Sequence, residues 1–99
     1  MNINAQREGN TLTIRPEGRI DTVTALAFQQ GLEAEFGDID RLFIGFSKVN
    51  YISSAGLRVL LACAQRMEVC GGSIKAVGVN DTLRKAFSLT GFLDILNVD

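Results

Sequence analysis

The sequence predicts a single α/β domain of 99 residues, a mixed β-sheet of about four to five strands with helices packed against it. Three observations carry this. Leu12 and Ile14 alternate with Thr11, Thr13 and Arg15, the two-residue period of a half-buried strand. Leu42-Phe43-Ile44-Gly45-Phe46 is almost unbroken apolar sequence, as in a strand covered on both faces. At Ser53–Ala55 the period then changes to that of a helix. Leu57, Leu60, Leu61, Ala64 and Met67 mark one side, and Arg58, Gln65, Arg66 and Glu68 the other.

The elements follow in order. Ile3–Gln6 and Thr11–Arg15 read as strands, joined by turn residues Glu8-Gly9-Asn10 into an antiparallel hairpin. Pro16, the only proline, ends the second strand. Gly18-Arg19-Ile20-Asp21-Thr22 leads into a helix of about Val23–Phe36, with Ala25, Phe28, Leu32 and Phe36 inward and Gly37 as its C-cap. Leu42–Phe46 is the third strand and central. Ala55–Cys70 is the second helix, stopped by Gly71-Gly72. Ser73–Val79 reads as the fourth strand, so that strand, helix and strand form a parallel unit. Asn80-Asp81 caps a short helix, Thr82–Leu89, ended by Gly91, and Ile95–Val98 is a short final strand or an extended tail.

Composition narrows the function. A net charge of −1 argues against a nucleic-acid partner, which selects a basic patch. No apolar run reaches the ~18 residues of a membrane span, and no secretory signal is visible, so a cytoplasmic protein without membrane insertion is expected. There is no histidine, which removes the usual general base and rules out a Ser-His-Asp hydrolase. No phosphate-binding glycine loop runs from a strand into a helix. Cys63 and Cys70 lie on one helix with their Cα atoms roughly 10 Å apart, beyond the ~7 Å limit of a disulfide. They are expected to be free thiols packed as small hydrophobes.

Ser53 and Ser54 stand where strand gives way to helix, on the carboxyl-end side of a central strand, where open α/β sheets place functional groups. A hydroxyl there can cap the helix by accepting a backbone N–H bond. It can also carry a phosphate, since a helix N-terminus tolerates negative charge. For Asp21 the parallel choice is a helix cap or a partner contact. For Arg58 it is a solvated side chain or a partner contact.

The ordered set of motifs resembles a STAS domain, the module shared by sulfate transporters and anti-sigma-factor antagonists, from about Leu12 to Val98. The resemblance rests on Val49-Asn50-Tyr51-Ile52-Ser53-Ser54-Ala55-Gly56-Leu57, on Gly18-Arg19-Ile20-Asp21 with Thr24, on Gly71-Gly72, and on Leu89-Thr90-Gly91-Phe92. In that family the first Ser of an Asp-Ser-Ser-Gly motif is phosphorylated by a serine kinase that is also the anti-sigma factor. Gly56 and Leu57 fix the register, so the resemblance implies Ser54 as phosphoacceptor, with Ser53 the alternative hydroxyl beside it. It further implies a partner-binding face of Asp21, Thr24, Ser53, Ser54, Ala55, Gly56 and Arg58. Ser53 stands where the family usually has Asp, Ala55 where it often has a second Ser, and Gly45 where an Asp or Asn is frequent.

The function implied is that of a bacterial protein-interaction switch and not an enzyme. The unphosphorylated domain binds an anti-sigma factor with serine-kinase activity and frees a sigma factor, and a serine phosphatase resets it. No cofactor or metal is implied, and a monomer or weak dimer is expected. Two other readings stand beside it: a free-standing STAS component of a phospholipid-transport or stress-signalling complex, and a small nucleotide-binding protein or enzyme.

Overall fold

The computed structural model describes residues 1–99. The opening hairpin is present, with β1 (Ile3–Glu8) antiparallel to β2 (Thr11–Pro16) in a register running from Ile3 opposite Pro16 to Glu8 opposite Thr11. β2 pairs in parallel with β4 (Arg41–Gly45), and β4 in parallel with β6 (Ser73–Val77). The main sheet therefore has the order β1-β2-β4-β6. The parallel connection from β4 to β6 is the one expected, with the second helix lying between them in the chain.

One face of this sheet is core. Leu12, Ile14, Leu42, Ile44, Ile74 and Ala76 are buried there, together with Phe28 and Leu32 of α1 (Thr24–Glu35) and Leu60 and Met67 of α2 (Ser54–Val69). The other face is not covered as expected. Thr13, Phe43 and Lys75 lie side by side in register and stay half-exposed. A continuous apolar run fits a strand buried on both sides, but here the large side chains that enter the core are the alternate ones, Leu42, Ile44 and Phe46, while Phe43 stays half-exposed.

Two further expectations are corrected. Gly18–Ile20 is not a lead-in to a helix but a strand, β3, and it pairs in parallel with β5 (Val49–Ile52) in a separate two-stranded ribbon. β5 is thus distinct from the central strand. After Gly45 the chain turns, with the Phe46 amide donating to the Val77 carbonyl (2.9 Å) and the Val49 amide to the Phe46 carbonyl (2.9 Å). Ser53 and Ser54 therefore follow the carboxyl end of the ribbon, not of the central strand. Such parallel pairing joins segments far apart in sequence and has no turn signature of its own.

β6 stops at Val77, short of Val79, because Gly78 turns the backbone into the left-handed region at φ +68°. α3 (Asp81–Thr90) is capped by the Asn80 side chain, which accepts from the Leu83 amide (2.9 Å). Residues Phe92–Ile95 make a helical turn, α4, which takes Ile95 out of the strand or extended tail expected over Ile95–Val98. The residues after it do run beside β6. The Ala76 amide donates to the Leu96 carbonyl and the Asp99 amide to the Ala76 carbonyl, both at 3.0 Å.

The buried side of α2 is Gly56, Val59, Leu60, Cys63 and Met67; Leu61, placed in the core by periodicity, is 36% exposed. Cys63 is the packed small hydrophobe expected, but Cys70 is exposed at the C-cap of the helix, its Sγ donating to the Met67 carbonyl. Burial pushes the Cys63 thiol up to about 12, with Glu33 adding to the rise and Arg66 opposing it. One thiol, Cys70, is expected to react promptly with an alkylating reagent in the native protein and both after denaturation. The folded-state value is raised, so the stability gained by keeping Cys63 neutral is complete below its ordinary value of 9.0 and lost as pH climbs from there toward about 12. Alkylation mass spectrometry and urea titrations across that range measure both effects. Prompt native labelling of Cys63 would contradict the helix packing.

Candidate functional site

The ribbon aims two helix starts at one place. β3 and β5 run in parallel, with Ile20 opposite Ile52, so Asp21 and Ser53 emerge side by side. The Ser53 amide donates to the Ile20 carbonyl (2.8 Å) and holds them together.

Asp21 and Thr24 form a reciprocal cap on α1. The Asp21 carboxylate accepts from the amides of Val23 (3.0 Å) and Thr24 (2.9 Å). The Thr24 hydroxyl accepts from the Asp21 amide (2.9 Å) and donates to the Arg19 carbonyl (2.6 Å). This capping box satisfies amides that have no partner within the helix. The Thr24 amide above all holds the Asp21 carboxyl below its ordinary value against partial desolvation, helped by the Thr24 hydroxyl, the Val23 amide and the Arg19 guanidinium. Because the shift is downward, its stabilising effect is present above the ordinary Asp value and is lost as pH falls through the lowered one.

Ser53 is the N-cap of α2. Its backbone is extended (φ −90°, ψ 172°) and its Oγ accepts from the Gly56 amide at 3.2 Å. Of the two roles open to it, the structure shows the cap. Ser54 is the next residue, the first of the helix. It is exposed, and its hydroxyl makes no hydrogen bond to another side chain or to the backbone. Gly56 is required by close approach: a Cβ there would meet Ile20 Cγ2 at 2.7 Å and Ile52 Cγ1 at 2.8 Å. The first turn of α2 is thereby seated directly on both ribbon strands.

Two residues of this face were not singled out by sequence, Arg19 as a side chain and Tyr51. They are opposite one another in the ribbon, and the Arg19 guanidinium lies 4.2 Å from the Tyr51 ring centroid and 4.0 Å from the Asp21 carboxylate. Arg58 is exposed one turn beyond Ser54. It borders a furrow of about 340 Å³ between α1 and α2, with Thr22, Leu26, Ala55 and Ala62. Leu26 (60% exposed) gives the furrow an apolar edge on its α1 side, and Val23 (84% exposed) precedes the helix. Ala55 and Arg58 thus join the same face as Asp21 and Ser54. Gly45 does not. It lies under the Arg15 side chain and lines a polar cleft with Asn4, Gln6, Glu17, Ser47 and Lys48, which includes none of the serine-site residues.

A mixed sheet, a parallel ribbon and a free serine at the first turn of a helix seated on that ribbon define a STAS domain. The STAS domain family model matches residues 2–99, and the chain belongs to that family. It is 26% identical over 98 residues to the anti-sigma-B factor antagonist of Bacillus subtilis (strain 168), covering 99% of this chain and 90% of that one. Among solved structures, an anti-sigma factor antagonist from Mycobacterium paratuberculosis is similar at a TM-score of 0.86 and 26% identity, covering 98% and 83% of the two chains. The Bacillus cell fate determinant SpoIIAA in its phosphorylated form shares the fold at a TM-score of 0.76 and 17% identity, covering 99% and 91%. No helix of the chain is long and apolar enough to cross a membrane.

Proposed function

We propose that this protein is an anti-sigma-factor antagonist, a binding module switched by phosphorylation of Ser54. Its partner is an anti-sigma factor that is also the serine kinase, and a serine phosphatase reverses the modification. Unphosphorylated, the face of Asp21, Thr24, Ser53, Ser54, Ala55, Gly56 and Arg58 binds the partner in the cytoplasm and releases its sigma factor. The domain itself performs no catalysis; the kinase transfers the γ-phosphoryl of ATP to Ser54 Oγ, breaking the bond to the β-phosphate and releasing ADP, and takes up the hydroxyl proton.

The observation that supports this most is the division of labour between adjacent serines. Ser53 Oγ is engaged as the cap, whereas Ser54 is exposed with its hydroxyl unengaged. An acceptor must be reachable by a kinase and removable from its local bonds at little cost. Only Ser54 meets both conditions. The relatives named as anti-sigma factor antagonists supply the partner class.

The test is incubation with the anti-sigma kinase of the same organism and ATP, read by site-resolved mass spectrometry. Wild type and Ser53→Ala are expected to gain one phosphate on residue 54, and Ser54→Ala none. Phosphate on Ser54→Ala but not on Ser53→Ala would shift the acceptor by one residue. A protein never modified at either serine, in vitro or when purified from its own cells, would sink the switch and favour a scaffold or lipid-transport component.

A further inference from the structure

We propose that Arg58 is an intramolecular clasp for the phosphate on Ser54, an inference that rests on Ser54 as acceptor. Arg58 follows Ser54 by four residues on α2. Side chains so spaced are neighbours, their Cβ atoms about 5–6 Å apart. Helical side chains lean toward the N-terminus, which carries the guanidinium back over the first turn. An acid placed four residues before a base is also the favoured order of such a pair.

Three features make Arg58 the residue that takes this role. First, it is uncommitted. The ion pairs of the chain are Arg19 with Asp21, Lys48 with Glu17 and Lys75 with Asp99, and Arg58 is in none of them. Second, the other nearby cation is engaged, since Arg19 is held between the Tyr51 ring and the Asp21 carboxylate. Third, the amides of Gly56 and Leu57 are already engaged, which leaves only those of Ser54 and Ala55 free at the helix start. Gly56 donates to Ser53 Oγ and Leu57 to the Ser53 carbonyl. Asp21 stands close by with a charge of the phosphate's own sign. A phosphoserine carrying about −1.5 to −2 charges beside Asp21 is therefore best met by a side-chain cation in addition to the two remaining amides, and a planar guanidinium can meet two of its oxygens.

The clasp has a second effect. Without phosphate, Arg58 borders the furrow between α1 and α2. Turning to the phosphate removes its positive charge from that border. Phosphorylation thus adds an anion to the face and withdraws a cation from it at once.

The experiment installs phosphoserine at position 54 during synthesis, so that no kinase is needed, and follows its second ionisation by phosphorus NMR. In the otherwise wild-type protein that pKa is expected below the ~6 of an unconstrained phosphoserine. Arg58→Gln should raise it by about half a unit, since each unit is ~1.36 kcal/mol of interaction with the dianion. Arg58→Lys should fall between, having charge without the fork. Arg84→Gln, on α3, should leave it unchanged. An Arg58→Gln titration identical to wild type, or a rise produced by Arg19→Gln instead, overturns the assignment. Circular dichroism checks that each variant is folded. Because the phosphate is supplied chemically, a missing clasp is distinguishable from a missing kinase.

Discussion

Phe87→Ala is expected to remove about 3–5 kcal/mol of stability, the cost of truncating a fully buried aromatic. Phe87 has no exposed surface and joins three parts of the chain. From α3 its ring meets the Phe46 ring edge-on (centroids 5.5 Å, 68°) and lies near that of Phe92 in α4 (6.4 Å, 29°). Phe46 is where the chain leaves the central strand for the ribbon. A void at 87 therefore loosens the turn that positions β5 and, beyond it, the serines. A domain of this size has about 5–15 kcal/mol in all, so the variant should be near its unfolding threshold and melt lower by well over 10 °C. Leu89→Ala, on the same helix at 80% exposure, should stay within about 0.5 kcal/mol of wild type. Urea midpoints measure both. Equal midpoints for Phe87→Ala and Leu89→Ala would contradict the packing described.

Phosphate on Ser54 is expected to weaken binding to the anti-sigma partner by about a hundredfold or more, which corresponds to about 2.8 kcal/mol. A near-divalent group placed within the proposed partner face must be desolvated or meet like charge, and either costs several kcal/mol. Ser54→Asp should weaken binding less, having one charge and fewer acceptor oxygens. Ser54→Ala should bind like wild type and keep its stability, because the cap belongs to Ser53. Calorimetry with the purified partner decides this. Unchanged affinity on phosphorylation would mean that Ser54 lies outside the contact surface.

Much of this was legible in the sequence because its signals are local. The hairpin is written in the Glu8-Gly9-Asn10 turn, and α2 in the period that begins after Ser53. What was not legible depends on partners distant in sequence. β3 is three residues long and is a strand only because β5, some thirty residues later, supplies its hydrogen-bonding edge. The Arg19–Tyr51 pair was hidden for the same reason. The Asp21 cap could be read as one of two roles from its spacing to Thr24, but its carboxylate bonds could not. Phe43 misled because hydrophobicity reports what a residue tolerates, not whether a neighbour arrives to cover it. Cys70 misled because the last turn of a helix leaves the core before the sequence pattern does.

The separation of ribbon from main sheet bears on how such a domain can change over generations. The side chains at the serine site hang from β3, β5 and two helix starts, while most of the buried apolar mass belongs to the larger sheet and the helix sides facing it. Heritable variation at the exposed positions Ser54 and Arg58 therefore draws little on the part of the molecule that keeps it folded, whereas Ser53 caps α2 and Ala55 packs on the core. A lineage can trade one exposed recognition residue for another and retain a folded protein at every step. That is a route by which one scaffold changes its partner without being rebuilt.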